Sequence, residues 1–201
     1  MQKKIIVACS GGPDSMALLD KLYKQGHTII VAHVNYHKRD TANRDEKIVR
    51  DYCQERSIEV EVQEPTFDNK SNFQSWARKV RYDFFFELAT KNDTDQIYVA
   101  HHLDDHLETY LFQKSRNMLC DHYGLKSENI MKGMKIIRPL LHETKTQLME
   151  YCDQNNIEYG IDESNLGNDY TRNKIRHSQI EKMSLLEKLR LNEEIQKKIL
   201  S

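Results

Sequence analysis

Short apolar runs alternate along the chain with longer stretches whose apolar residues recur at helical spacing. The run at 4–9 is apolar and rich in β-branched residues, which predicts a buried strand. Residues 14–25 follow with Met16, Leu19 and Tyr23 on one helical face and Leu18 and Leu22 beside it. Gly26 stands where a helix commonly ends. Residues 28–34 read as a strand, 41–56 as a charged helix with Ile48, Val49 and Tyr52 inward, and 58–62 as an alternating strand. A helix at 72–90, a strand at 96–100 and a helix at 103–114 come next. Ile136 and Ile137 form a short apolar run ahead of a helix at 143–155. This order predicts an α/β fold, a parallel sheet with helices on both faces. Residues 1–180 are expected to form one domain, and 181–201 a charged, helix-prone and loosely attached tail.

Composition narrows the class. With 201 residues, 38% hydrophobic and 30% charged, the chain suits a soluble globular protein able to bury a core. The first apolar run is too short for a signal peptide, and no stretch reaches membrane-spanning length. Four cysteines, Cys9, Cys53, Cys120 and Cys152, are scattered without a CxxC pair, so neither a zinc ribbon nor a dithiol motif is suggested. The reduced cytoplasm is the simplest compartment. The net charge of −1 means that any binding of nucleic acid must come from local patches.

Two strand-to-helix junctions carry the candidate chemistry. The first reads SGGPDS at 10–15 and takes two of the chain's seven glycines. Gly11 and Gly12 allow close approach to the main chain. Pro13 suits the first helical turn, whose free N–H groups and dipole form an anion site. Ser10 and Ser15 add hydroxyls. The Walker pattern GxxxxGK[ST] and the dinucleotide pattern GxGxxG are both absent, and a simple tight turn would use the same residues. The second junction reads AHHLDDHLET at 100–109. Helical spacing puts Asp105 and Asp104 each beside Glu108. One such carboxylate could merely satisfy the helix dipole; three beside two histidines suggest a site. His102 and His106 are spaced as zinc ligands can be, yet no third ligand follows, and hard carboxylates near a phosphate loop favour Mg²⁺.

The SGGPDS loop resembles the pyrophosphate loop of the PP-loop ATPases. Further stretches resemble the tRNA(Ile)-lysidine synthetase family in particular: HVNYHKR from His33, ARKVRYDFF from Ala77, HHLDDHLET from His101, IRPLL from Ile137 and DESNLGNDYTRNKIRH from Asp162. The resemblance runs in order from about residue 5 to 177. It implies a Rossmann-like PP-loop fold and an enzyme that adenylylates the C2 oxygen of the wobble cytidine in the CAU anticodon of isoleucine tRNA. Free L-lysine then displaces AMP to leave lysidine. ATP and Mg²⁺ would be required, with no membrane involved. By the family pattern Asp14 serves the phosphate end, and Asp105 and Glu108 lie near lysine and metal, with Asp14 and Asp105 as the metal ligands. Ser10, Gly11, Gly12, Pro13, Asp14 and Ser15 would hold the nucleotide. The division of work among Asp104, Asp105 and Glu108 stays open.

His33 and Asn35, ending the second strand, are expected to line the nucleotide pocket. Arg81, Arg172, Asn173 and Arg176 are expected to touch RNA, while Trp76, Phe84 and Phe85 read as core. The sequence also departs from the family. The usual GSG segment is replaced by KSRNMLCDHYGLKSENIMKGM from Lys114, and no proline follows the IRH element. Many relatives carry further tRNA-binding domains, and none is expected in this chain. A tRNA thiolase and a non-catalytic nucleotide-binding module are the alternatives. Scattered cysteines argue against the first, and intact Asp14, Asp105 and Glu108 against the second.

Overall fold

The computed structural model describes residues 4–38, 40–67, 72–161 and 170–200. Six strands form one sheet in the order β3-β2-β1-β4-β6-β5. They are β1 Ile5–Ala8, β2 Ile29–Val34, β3 Glu59–Gln63, β4 Gln96–Tyr98, β5 Glu128–Met131 and β6 Met134–Ile137. The helices are α1 Pro13–Lys24, α2 Ala42–Glu55, α3 Phe73–Lys91, α4 Leu103–Ser115, α5 Lys145–Gln154, α6 Tyr170–Ser178 and α7 Leu185–Leu200. All neighbouring strands are parallel except β5, which folds back antiparallel on β6. That edge hairpin was not expected from sequence. Its outer strand alternates exposed with half-buried residues, so it carries no apolar run.

Strand alternation divides the core. Ile5, Val7, Ile29 and Val31 face α1, α2 and α5 in one apolar cluster. Ile6, Ile30, Ile97 and Ile136 face the aromatic side of α3 in another. Helices on both faces are thus required by residues that are apolar in both directions. Each fully buried aliphatic side chain stabilises the sheet by roughly 1.5–3 kcal/mol. Of the residues expected inward on α1, Met16, Leu18, Leu19 and Leu22 are buried, but Tyr23 is 39% exposed. Its ring lies past the edge of the apolar stripe.

The tail is not loose. Leu103, Leu107 and Tyr110 of α4 pack with Ile175 of α6, with Ile180 in the short turn after it and with Ile195 of α7 in a third cluster. Lys188 of α7 is itself buried. The charged appearance of this segment concealed an apolar stripe fitted to α4. Among the described residues no helix is long and apolar enough to cross a membrane.

Candidate active site

The chain runs outward from β1 through β2 to β3, then returns to place β4 on the other side of β1. The carboxyl ends of β1 and β4 therefore flank a switch point, where open α/β sheets leave a crevice. Both motif junctions open onto it.

In the first loop, Gly11 has φ +87°, and a Cβ there would lie 2.7 Å from the Asp45 carbonyl oxygen. Glycine is required by the fold at this position. Gly12 is different: its φ is −78° and an added Cβ would meet nothing closer than 3.7 Å. Gly12 caps α1 without a side-chain hydrogen bond and Pro13 follows at the start of the helix, leaving the end of the helix open to an anion. Ser15 Oγ accepts from the Ser10 N–H at 3.1 Å and donates to the Gly12 carbonyl at 3.0 Å, so it braces the loop. Asp14 Oδ1 is buried with no hydrogen-bond partner.

A cavity opens beside this loop, with Ser10, Asp14, Val34, Tyr36, Arg81 and His101 among its walls. His33 and Asn35 are not brought to it. Strand alternation turns Ala32, Val34 and Tyr36 toward the cavity and the odd positions away. His33 Nδ1 lies 2.9 Å from the Cys9 carbonyl oxygen beneath the loop. Asn35 donates to Asn43 and Glu46 and accepts from the His37 N–H, so its amide is fully engaged in shaping the turn. Tyr36 and His101 are the cavity residues that sequence reasoning missed. The apolar contacts of Val31 fix the strand phase that would have found Tyr36.

The first turn of α4 separates the three carboxylates. Asp104 turns away from the cavity: it lies 2.6 Å from Lys188 Nζ and accepts the Lys145 N–H at 3.1 Å. Asp105 accepts the His102 N–H at 3.1 Å. Arg176 spans the other two, with Nη2 2.6 Å from Asp105 Oδ1 and Nε 2.7 Å from Glu108 Oε2. Arg176 is thus turned inward rather than offered to RNA, because two carboxylates and a partly dry setting hold a guanidinium firmly. Arg172 Nη1 stands 3.6 Å from Glu108 Oε1. The side chain of Asn173 and residues 162–169 lie outside the described residues.

His102 joins the two loops, with Nε2 3.6 Å from Asp14 Oδ2 and 3.4 Å from Asp105 Oδ2. Burial alone would lower its pKa, but Asp105, Asp14 and Asp104 outweigh that and raise it. His106 does not converge with it; its Nδ1 accepts the Leu125 N–H at 2.9 Å on the far side of α4. The carboxylates diverge in character. Burial pushes Asp105 up, but His102, His101 and Arg176 more than reverse this and hold it low. For Glu108 burial prevails over Arg176, and its pKa is raised.

Among the described residues no cluster of three or more His, Cys, Asp or Glu could hold a metal by itself. The orphaned oxygen of Asp14, near Asp105 through His102, does fit Mg²⁺, which takes one or two carboxylates and completes its shell with phosphate oxygens and water.

The chain is 46% identical to the tRNA(Ile)-lysidine synthase of Mycoplasmopsis pulmonis over 179 residues, covering 88% of this chain and 62% of that protein. It is 42% identical to the tRNA(Ile)-lysidine synthase of Ureaplasma parvum, covering 87% and 54%. The chain therefore spans only about half to three fifths of the length of these relatives. Among solved structures, the U34-tRNA thiolase NcsA from Methanococcus maripaludis superposes with a TM-score of 0.77 at 17% identity, over 98% of this chain and 73% of that one. The NH3-dependent NAD synthetase of Campylobacter jejuni gives 0.53 at 14%, over 98% and 85%. These two likenesses show the fold. A PP-loop domain model matches residues 1–183, and with the glycine loop and its crevice at the β1–β4 switch point, the chain belongs to the PP-loop family of ATP-binding domains.

Proposed function

We propose that this chain joins L-lysine to C2 of the wobble cytidine in the CAU anticodon of isoleucine tRNA, at the expense of ATP. The cytidine C2 oxygen attacks the α-phosphorus of ATP and pyrophosphate leaves. The lysine amine then attacks C2, and AMP departs with the oxygen. The observation that carries this reading is the pairing, across one crevice, of an open anion-binding helix end with two carboxylates of opposed pKa shift.

Each residue has a place in these steps. Gly12 and the start of α1 receive the leaving pyrophosphate, as preorganised donors stabilise charge where it develops. Mg²⁺ held at Asp14 and Asp105 would neutralise part of that charge. Arg81 and Tyr36 line the cavity where the nucleoside end would sit. A free lysine amine has a pKa of about 10.4 and arrives protonated. Asp105, held charged, can seat the ammonium, and Glu108, with its raised pKa, can accept the proton that makes the amine nucleophilic. The ion pairs of Arg176 with these two carboxylates support a cation seat there.

Three of the four cysteines favour this reading over sulfur delivery. Burial pushes the Cys9 thiol up to about 11 and those of Cys53 and Cys152 up to about 12. A sulfur-transferring thiol needs the opposite shift.

The test is conversion of ATP to AMP with a CAU-anticodon tRNA, with and without lysine. Lysidine should appear only when all three are present, and Asp105→Asn or Glu108→Gln should abolish it in folded protein. Full activity in both variants would reject their roles.

A further inference from the structure

Four aromatic rings gather at the rim of the nucleotide cavity, around Tyr36. Tyr36 lines the cavity itself and donates its hydroxyl to the Ala77 carbonyl at 2.9 Å. Around it stand Phe67, Phe73 and Trp76. Ring centroids lie 4.8 Å apart for Phe67 and Trp76, 5.2 Å for Phe67 and Phe73, and 5.9 Å for Tyr36 and Trp76. All four are only half-buried, unlike Phe84 and Phe85 farther along α3, which lie in the core. Trp76 therefore departs from the core role expected of it.

Cations border the same rim. Lys38 Nζ sits 3.6 Å from the centre of the Phe73 ring. Arg78 lies over the Tyr82 ring at 4.7 Å, and Arg81 reaches the cavity wall. None of these three pairs with a carboxylate among the described residues. Half-buried rings with cations beside them are what single-stranded RNA needs, since an unpaired base stacks on a ring while its phosphates meet the charges. A duplex cannot offer such a base without opening.

We infer that this rim is a stacking platform for an unpaired anticodon-loop base next to the one that enters the cavity. The inference rests on the tRNA reading proposed above and adds the surface that would hold the loop open. Tyr36 separates the two binding places: it faces the nucleotide on one side and the ring cluster on the other.

Trp76 is the chain's sole tryptophan, so its emission reports on the rim directly. The wild-type protein is titrated with a CAU anticodon stem-loop, with a fully paired hairpin duplex of equal length and with Mg-ATP, while filter binding follows occupancy. The stem-loop should quench Trp76 as it binds, and neither the duplex nor Mg-ATP should do so. Phe73→Leu should weaken stem-loop binding about tenfold and leave Mg-ATP affinity unchanged. Stem-loop binding with unaltered emission, or the full change with Mg-ATP alone, would overturn the platform. A stem-loop that fails to bind at any salt would instead sink the tRNA reading, and the platform with it.

Discussion

At the residue scale, adjacent glycines have different physical reasons to be there. Gly11 is fixed by its own backbone, because its left-handed φ and the nearby Asp45 carbonyl leave no room for a side chain. Gly12 is unconstrained by its neighbours, and the function proposed above gives it a reason in ligand approach. Gly11→Ala should therefore cost stability, on the order of 1–3 kcal/mol from strain and contact. Gly12→Val should leave the unfolding midpoint near that of the wild type yet remove Mg-ATP binding. Thermal unfolding and calorimetric titration of both variants separate the two; unchanged ATP affinity in Gly12→Val would take the loop out of the site. The sequence showed that both glycines belong to a loop, but not which one serves the fold, because that depends on Asp45 arriving from α2.

At the scale of elements, the first turn of α4 is held from two directions. Asp104 receives the start of α5 through the Lys145 N–H and the body of α7 through Lys188. Both charged partners are only 7% exposed. Removing one member of a buried pair leaves the other uncompensated, a loss of about 3–5 kcal/mol. Lys188→Met should thus lower the urea midpoint markedly, and Asp104→Asn in the same chain should recover much of the loss. A single variant as stable as the wild type would show that α7 docks by its apolar stripe alone. This pair also explains why three carboxylates in one motif do not share one role: Asp104 is committed to assembly, leaving Asp105 and Glu108 free for the chemistry proposed above.

For the whole molecule, charge is nearly balanced, yet exposed cations remain to meet phosphates. Lys38, Arg78, Arg81 and Lys174 are exposed. If about four such groups meet phosphates, the logarithm of the stem-loop affinity should fall with the logarithm of salt at a slope of about −3. Filter binding across a salt series checks this, and a slope near zero would mean that the charged groups are not at the interface. Whole tRNA and the isolated stem-loop measured in parallel would show how much recognition this chain holds in its own crevice.

The sequence by itself determined the parallel strands and most of the helices that cover them, though not the antiparallel edge strand β5, because β-branched runs and helical spacing are local signals that packing reinforced. It also determined the two loops, since a glycine-rich turn and a carboxylate-rich first turn each lie within a few consecutive residues. Only the tertiary structure decided which face of β2 lines the cavity, placing Tyr36 there rather than His33 and Asn35. Only it brought Arg176 onto Asp105 and Glu108, His102 between the two loops, and α7 against α4. All of these depend on partners far apart in the chain, whose meeting is set by strand order and by the phase in which each element presents its side chains.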